Sequence, residues 1–359
     1  MSTCRRKLRA LLINDTSLRG HHGSALAVSQ LIALAAQAGI VVEHGWEWDR
    51  AAAEVLETDC DRFDLVIVNG EGSVHHNSRS AVRIAALASD LAARGRPAYL
   101  VNTSVEANSC PVLAGLSTFR LRFVRDSQTQ RLLAKAGLSS HLVHDLTLTW
   151  AGFPRARSTG NLLVTDASEQ GKTARLLQLS RSWGGARMIT FRTNPPWPVR
   201  GGRVSRRLSF EVKRLASSFL PASPWTSRYA GAIRSGDEIV RLMSDRARGI
   251  VCGRYHAVCF ALRMFLPFIS TEGNTGKIGA LLSDVGLASR LVELETLEST
   301  DGPPEIQPLS AIETRRLADF LEAVTASAHK MFRTIAEDAR RVSETGMDGG
   351  LIRSGGLSH

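Results

Sequence analysis

The densest group of polar side chains in the sequence follows an apolar run that ends at Cys252. Gly253, Arg254, Tyr255 and His256 stand there, directly before an apolar helical pattern. A strand-to-helix junction of this kind places backbone amides and the positive helix end at the carboxyl edge of a parallel sheet, where α/β proteins bind phosphates. Arginine can clamp an anion with two hydrogen bonds, and histidine can move a proton at neutral pH. The segment predicts anion binding with acid chemistry; the alternative is that Arg254 fixes an interface and His256 caps its helix.

A second polar loop, residues 272–277, lies between the next apolar run and the following helical pattern. Lys277 stands at the start of that pattern and can add a second positive charge. Asn274 and Thr275 supply polar groups beside it. Because neighbouring parallel strands end at one edge of a sheet, we expect this loop to face the same anion as Arg254.

Polar residues also follow three predicted strands in the N-terminal half of the sequence, in the loops Asn14–Ser24 and Asn69–Asn77 and at Arg125-Asp126. Loops at these strand ends should face a cleft. There they can form hydrogen bonds with an acceptor substrate. The residues expected to contact the acceptor are Asn14, His21, Glu71 and His75.

Two adjacent histidine pairs, His21-His22 and His75-His76, raise the question of a metal site, since imidazole is a common ligand. Neighbouring residues do not usually both turn to one ion, and no third carboxylate stands at a suitable spacing. We therefore expect no metal.

Several common catalytic motifs are absent from the sequence. There is no Walker phosphate loop, no Gly-x-Gly-x-x-Gly after the first strand and no Gly-x-Ser-x-Gly elbow. Asp15, Asp126 and Asp145 are isolated carboxylates with no recognisable pairing. The usual nucleotide-binding, dinucleotide-binding and serine-hydrolase functions are thus disfavoured.

The elements that must position these residues alternate between short β-rich runs and helical patterns, which is typical of parallel sheets covered by helices. This pattern predicts an α/β protein with two Rossmann-like domains and a long C-terminal helix. The last strand predicted before the C-terminal helix is Arg290–Glu293. The predicted divisions are a domain at 1–150, a linker at 151–160, a second domain at 161–310, a helix at 311–345 across both domains and a flexible tail at 346–359.

Composition sets the broad class of the protein. The chain has 359 residues, 43% of them hydrophobic, and only 12 prolines, which excludes a fibrous or unfolded chain. No apolar run reaches the roughly 18 residues of a membrane span. Five cysteines are an odd number without two-residue spacing, so no disulfide framework is indicated. These features predict a soluble cytoplasmic protein, and nothing in them defines an oligomeric state.

The formal net charge of +11 is concentrated in one stretch of the chain. Residues 181–234 contain eleven Lys or Arg and one acid, Glu211, with Trp197 and Trp225 among them. Such a stretch predicts a surface for an anionic or lipid-linked glycan, and it would also suit peripheral contact with an anionic membrane surface. RNA ranks lower because no nucleic-acid-binding motif accompanies it. The alternative is a solvated loop.

In the order of its motifs, the sequence resembles the polysaccharide pyruvyl transferase family. The most specific motif is Gly253-Arg254-Tyr255-His256-Ala257. The supporting motifs, in chain order, are the Asn14 loop with Gly23-Ser24, Asn69-Gly70-Glu71-Gly72-Ser73, Val124-Arg125-Asp126, Asp145, Phe260-Ala261-Leu262, Pro267, Lys277 and Asp284-Val285-Gly286.

The resemblance implies two domains facing across a cleft, as in GT-B glycosyltransferases, with the acceptor on the first domain and the donor on the second. It implies phosphoenolpyruvate as co-substrate, with no cofactor, and a saccharide acceptor in cell-surface polysaccharide biosynthesis. By position, His256 would be catalytic and Arg254 would bind the donor, with Arg125 as a further anion contact.

Two other functions remain open at this point. A GT-B-type glycosyltransferase would place the diphosphate of a nucleotide-activated sugar on Arg254 and Lys277, and nucleotide binding would reveal it. A non-enzymatic glycan- or nucleic-acid-binding module would use the basic stretch and would be insensitive to changes at His256.

Overall fold

Two parallel β-sheets flanked by helices make up the computed structural model, which describes residues 6–17, 19–46, 62–192 and 236–351. The first sheet has six strands in the order β2-β1-β3-β4-β5-β6. Its strands are β1 (Leu8–Ile13), β2 (Ile40–Trp46), β3 (Leu65–His75), β4 (Ala98–Glu106), β5 (Leu121–Val124) and β6 (His141–Leu142).

The second sheet has four strands in the order β10-β9-β7-β8, and all of its pairings are parallel. Its strands are β7 (Asn161–Thr165), β8 (Ala186–Ile189), β9 (Ala247–Cys252) and β10 (Phe268–Ser270). Strands covered on both faces read as continuous apolar runs, as Ala10–Ile13 and Gly249–Cys252 do.

Ten α-helices lie within the described residues. They are α1 (His22–Gln37), α2 (Arg79–Ala93), α3 (Cys110–Ser117), α4 (Ser127–Lys135), α5 (Gln170–Ser182), α6 (Gly236–Arg246), α7 (Tyr255–Met264), α8 (Lys277–Asp284), α9 (Leu294–Glu298) and α10 (Ala311–Leu351). The predicted fold class is confirmed: parallel sheets alternate with helices, and a long C-terminal helix follows.

The long helix α10 contributes apolar side chains to the cores of both sheets. Leu317, Leu321 and Val324 belong to the cluster around β9 and α7. Phe332 and Ile335, farther along the helix, are buried against the first sheet. One helix therefore packs on both halves of the protein.

Polar anchors add to this packing. Tyr99 Oη donates a hydrogen bond to Asp338 of α10, and Arg120 donates two to the same carboxylate.

Direct contacts also join the two sheets. Asp284, at the end of α8, accepts hydrogen bonds from the backbone and hydroxyl of Ser127 at the start of α4, and His144 Nε2 lies 3.2 Å from it. On the opposite side, His21 and Arg192 form an isolated antiparallel bridge. The loops at the carboxyl ends of the strands are thus held against each other.

Two sequence-based element predictions were wrong. The predicted loop Asn69–Asn77 is strand as far as His75, because pairing with β4 resumes at Val74 after an irregularity. The predicted strand Arg290–Glu293 is reduced to one bridge between Ser270 and Leu291 after a 3-10 turn. The reason is that the Arg290 guanidinium turns inward and binds backbone carbonyls, including that of Phe268.

The C-terminal helix extends beyond its predicted end at residue 345, since α10 continues to Leu351. Glycine costs only about 1 kcal/mol in a helix interior, which does not by itself end a long helix. The first part of the predicted flexible tail is therefore helical, and residues 352–359 lie outside the described residues. Most of the basic stretch, residues 193–234, also lies outside them.

Among the described residues, no helix combines the length and the apolar character needed to span a membrane.

Candidate active site

A polar cavity of about 230 Å³ lies where the carboxyl ends of the two sheets meet. Most of its lining side chains are basic, polar or imidazole-bearing, and Glu71 is the acidic one among them. The lining residues used below are Thr16, Arg19, His21, Ser24, Glu71, Gly72, Arg125, Arg192, Gly253, Arg254, Tyr255, His256 and Lys277. Such a lining suits a small, strongly anionic ligand.

The amino end of helix α7 forms one wall of the cavity. Gly253 is required there, since a β-carbon would come within 2.9 Å of the carbonyl oxygen of Asp166. Arg254 is the extended N-cap residue, and no side chain caps the helix. Its Nη2 donates to Asp166, whereas its buried Nε has no hydrogen-bond partner in the described part of the chain. One edge of the guanidinium and the helix end remain for an anion.

The amino end of helix α8 is different, because the protein supplies its own anion there. The Glu272 carboxylate accepts hydrogen bonds from the backbone N–H groups of Gly273, Ile278 and Gly279. This carboxylate already compensates the helix dipole. Helix α8 can therefore contribute to the cavity through the Lys277 side chain rather than through its backbone.

Arg125 and Lys277 face one another above Gly72. A β-carbon at position 72 would lie 3.5 Å from Lys277 Nζ and 3.7 Å from Arg125 Nη2. Burial in the cavity wall, with the charges of Arg125 and Arg254, lowers the pKa of Lys277 to about 8, although Glu71 acts in the opposite direction. The two cations thus point at the same space.

A buried ion pair holds Arg125 in place. Its Nη1 donates to Asp145 Oδ2 at 2.9 Å, and the two side chains are 1% and 0% exposed. Its Nε donates to Ser104, and the guanidinium carbon lies 4.4 Å from the centre of the Tyr255 ring. Such packing fixes the direction of Nη2, which faces the cavity.

His256, the second residue of α7, lies between two carboxylates. Its Nε2 is 3.7 Å from Asp145 Oδ2 and 4.0 Å from Glu71 Oε1, and no described residue lies within hydrogen-bond distance of it. Burial alone would raise the pKa of Asp145, but His256 and Arg125 hold this pKa well below its ordinary value. An imidazole that lines the cavity and whose Nε2 is not engaged in a hydrogen bond with these residues is suited to proton transfer.

His21 cannot serve as the acid in the same way. Its Nδ1 accepts a hydrogen bond from the backbone N–H of Ser24, which caps helix α1. Burial, followed by the charges of His256 and Arg254, lowers the pKa of His21 well below its ordinary value. At neutral pH the ring is uncharged, and it lies 5.1 Å from the His256 ring.

Glu71 is held by two hydroxyl groups. Thr16 donates to Oε2 at 2.7 Å, and Ser24 donates to Oε1. Its backbone has a positive φ of 42°. Beneath it, Asn14 and Asn69 exchange hydrogen bonds between side-chain amides and backbone carbonyls. This buried network fixes the strand ends that carry the site.

The structure brings six of the residues predicted from the sequence into one cavity: His21, Glu71, Arg125, Arg254, His256 and Lys277. Four others are not among its lining residues. Asn14 is fully buried below the cavity, and Thr275 is buried beside α8. Asn274 is exposed and accepts a bond from Ser168, and His75 lies beside His76.

Several site residues were not predicted. Asp145 was treated as an isolated carboxylate, although it follows β6 and therefore belongs to the same sheet edge as Arg125. Tyr255 was named only as part of its motif. Arg19 and Arg192 also line the cavity. Their positive charge alone did not predict, from the sequence, that they would lie there.

The two parallel sheets thus face each other across a cavity lined largely by cationic and polar side chains. The chain belongs to the polysaccharide pyruvyl transferase family, since the model of that family matches residues 6–273.

Solved structures with a similar chain path are distant in sequence. A functionally uncharacterised protein from Klebsiella pneumoniae is 9% identical over 79% of this chain and 92% of its own, with a TM-score of 0.40. UDP-GlcNAc 2-epimerase from Methanocaldococcus jannaschii is 11% identical over 88% and 99%, with a TM-score of 0.44. A glycosyltransferase from Streptomyces nogalater is 14% identical over 95% and 99%, with a TM-score of 0.33. No curated protein matches the sequence.

Proposed function

We propose that the protein transfers pyruvate from phosphoenolpyruvate to two hydroxyls of a saccharide, forming a cyclic ketal and releasing phosphate. The observation that carries this proposal is the convergence of Arg125, Arg254 and Lys277 on a small cavity beside the unpartnered Nε2 of His256. Phosphoenolpyruvate presents a phosphate and a carboxylate within one small molecule. Three cations and one proton donor match that distribution of charge.

Cavity size favours this donor over a nucleotide-activated sugar. Pockets for larger organic ligands usually enclose about 300 to 1,000 Å³. The cavity of about 230 Å³ lies below that range. A nucleotide sugar would also need space for a base, a ribose and a second phosphate.

The chemistry requires an acid, a base and positive charge. His256 would protonate the methylene carbon of phosphoenolpyruvate, which makes the adjacent carbon electrophilic. A sugar hydroxyl then attacks that carbon, phosphate departs and the second hydroxyl closes the ketal. Arg254 and Lys277 would stabilise the charge that accumulates on the leaving phosphate.

The acceptor side of the site is formed by the first domain, where His21 and Glu71 line the cavity. Arg19 and Arg192 add positive charge to this lining. We assign a saccharide or lipid-linked glycan to this side, as part of cell-surface polysaccharide synthesis. The basic stretch would bind the anionic remainder of the acceptor or a membrane surface at the cytoplasmic face.

A donor comparison tests the function directly. The protein is incubated with a panel of glycans and either phosphoenolpyruvate or nucleotide sugars, and phosphate release and the ketal methyl resonance are measured. We expect release and a new methyl signal with phosphoenolpyruvate. Turnover with nucleotide sugars alone would instead establish a glycosyltransferase.

Gly23 provides a test of the position of His256. A β-carbon at this glycine would overlap the His256 ring, so Gly23→Ala should displace the imidazole. Because a displacement of about 1 Å can cost 10²-fold in rate, we expect turnover to fall about 10- to 100-fold, measured as phosphate release. Gly171→Ala in α5 is the control, since its β-carbon would meet nothing within 4 Å. Equal turnover in both variants would contradict this role of His256.

The lowered pKa of Lys277 predicts how the affinity for phosphoenolpyruvate depends on pH. Its ammonium loses charge as the pH rises through about 8, so the dissociation constant for phosphoenolpyruvate should increase above that pH, by up to about tenfold per pH unit. Lys277→Arg keeps the charge and should remove this step, whereas Lys277→Met should bind weakly at every pH. Calorimetry between pH 6.5 and about 9.5 measures both. A flat affinity in the wild-type protein would exclude Lys277 from the donor site.

A further inference from the structure

Besides His256, the cavity is lined by a carboxylate, Glu71, whose surroundings differ from those of Asp145. We propose that Glu71 is the base that takes the proton from each attacking sugar hydroxyl and passes it to His256. This inference rests on the proposed function and assigns the base that the reaction needs.

The position of Glu71 allows this role. It lines the cavity, and its Oε1 lies 4.0 Å from the unpartnered Nε2 of His256. That separation is about 1 Å longer than a hydrogen bond, and a small side-chain rotation would close it. Asp145 is also close to His256, but it is not among the lining residues and is 0% exposed.

The hydrogen-bond partners of the two carboxylates decide which of them can exchange protons. Asp145 accepts one hydrogen bond from the Thr147 hydroxyl, but it also accepts from the Arg125 guanidinium and from the backbone N–H of Thr147, and these last two groups can only donate. A proton on Asp145 would oppose both. The pKa of Asp145 is accordingly held well below its ordinary value. Burial alone would raise this pKa, but His256 and Arg125 lower it further than burial raises it.

Glu71 has different partners. Among the described residues, both of its hydrogen bonds come from hydroxyls, those of Thr16 and Ser24. A hydroxyl can donate or accept, so it can rotate when the carboxylate becomes protonated. Glu71 can therefore gain and lose a proton without leaving either hydroxyl unpaired.

The backbone conformation of Glu71 also indicates a functional role for its side chain. Glu71 has a φ of 42°, a conformation that side chains other than glycine seldom adopt. Such conformations concentrate at sites where a particular side chain is needed. The charged groups that face Glu71 are His256, Lys277 and Arg125. Each of these groups is cationic or able to become so.

The proton balance closes through these two residues. His256 gives its proton to the methylene carbon, the first hydroxyl oxygen bonds to the adjacent carbon, and that hydroxyl's proton moves to Glu71. Glu71 passes the proton to His256, which delivers it to the phosphate oxygen as the carbon–oxygen bond breaks. The second hydroxyl then bonds to the same carbon, and its proton returns through Glu71 to His256. Two hydroxyl protons are consumed, one in the new methyl group and one in hydrogen phosphate.

The test uses two variants of the full chain, Glu71→Gln and Glu71→Gly, with phosphoenolpyruvate and methyl hexopyranosides of glucose, galactose and mannose as acceptor probes. We expect kcat to fall about 10²- to 10⁴-fold in both, while the affinity for phosphoenolpyruvate, measured by calorimetry, changes less than about threefold. Glu71→Gly should melt no lower than Glu71→Gln, because glycine accepts the positive φ. Added formate should raise kcat of Glu71→Gly at least about tenfold by occupying the vacated space, and should not rescue Glu71→Gln, whose side chain fills it.

Asp15→Asn is the matched control, since Asp15 is a buried carboxylate of the neighbouring loop that binds Ser17 and is not among the lining residues. Its kcat should stay within about threefold of wild type. Wild-type turnover in Glu71→Gln, or no rescue of Glu71→Gly by formate, would overturn the inference and leave the proposed function standing. A wild-type protein that binds no phosphoenolpyruvate and releases no phosphate would overturn both.

Discussion

Replacing His256 with alanine is expected to lower the turnover of phosphoenolpyruvate by about 10²- to 10⁴-fold, with a much smaller change in donor affinity. The reason is that His256 lines the cavity and its buried Nε2 has no hydrogen-bond partner among the described residues, whereas the donor's charges would be met by Arg125, Arg254 and Lys277. Steady-state phosphate release gives the turnover, and calorimetry gives the affinity.

Two comparisons separate catalysis from folding in this experiment. His141→Ala removes an exposed histidine on the edge strand β6, and its turnover should match wild type. Thermal melting of His256→Ala reports whether the loss of ring packing against Gly23 affects stability. Near-normal turnover with a lower melting temperature would mean that His256 only packs the start of α7.

Removing Asp145 should have the largest effect on stability. The variant Asp145→Ala leaves the Arg125 guanidinium buried without its counterion, and breaking a buried pair in this way costs about 3 to 5 kcal/mol. Inorganic phosphate should restore part of that loss, because an anion in the cavity can pair with the freed guanidinium. Urea unfolding with and without phosphate measures both effects.

Glu298→Ala is the control for this result, since it breaks an ion pair with Arg175 on the surface. Its free energy of unfolding should stay close to that of wild type, because exposed pairs contribute little. Two results would contradict the role of Asp145 as the counterion that holds Arg125 at the donor site. One is a free energy of unfolding for Asp145→Ala as close to wild type as that of Glu298→Ala. The other is a stabilisation of Asp145→Ala by phosphate no larger than that of wild type.

Much of the site could be predicted because parallel strands bring their carboxyl ends to one edge. That single rule places Arg125, Arg254, His256 and Lys277 near a common cavity from their positions after strands. The same rule does not say which side chain at a strand end faces the cavity. Asn14 turns down into the amide network below the site, and its φ of 61° could not be deduced from the sequence.

Helix caps account for other differences. Asn274 and Thr275 belong to a loop of suitable composition, but Glu272 folds back over the helix end and takes the backbone donors there. These backbone donors are therefore used within the loop, and the Lys277 side chain is the part that lines the cavity. Asp145 was missed for a different reason: its partners, Arg125 and His256, are distant in sequence, so no local spacing could reveal them.

Helix α10 also has a consequence for how the protein loses its structure. Its first half completes the core of one sheet, and its second half completes the core of the other. Neither sheet can shed this helix without exposing apolar surface on both, so melting of the two halves is thermodynamically linked. Heat should therefore unfold them in one cooperative transition rather than in two independent steps.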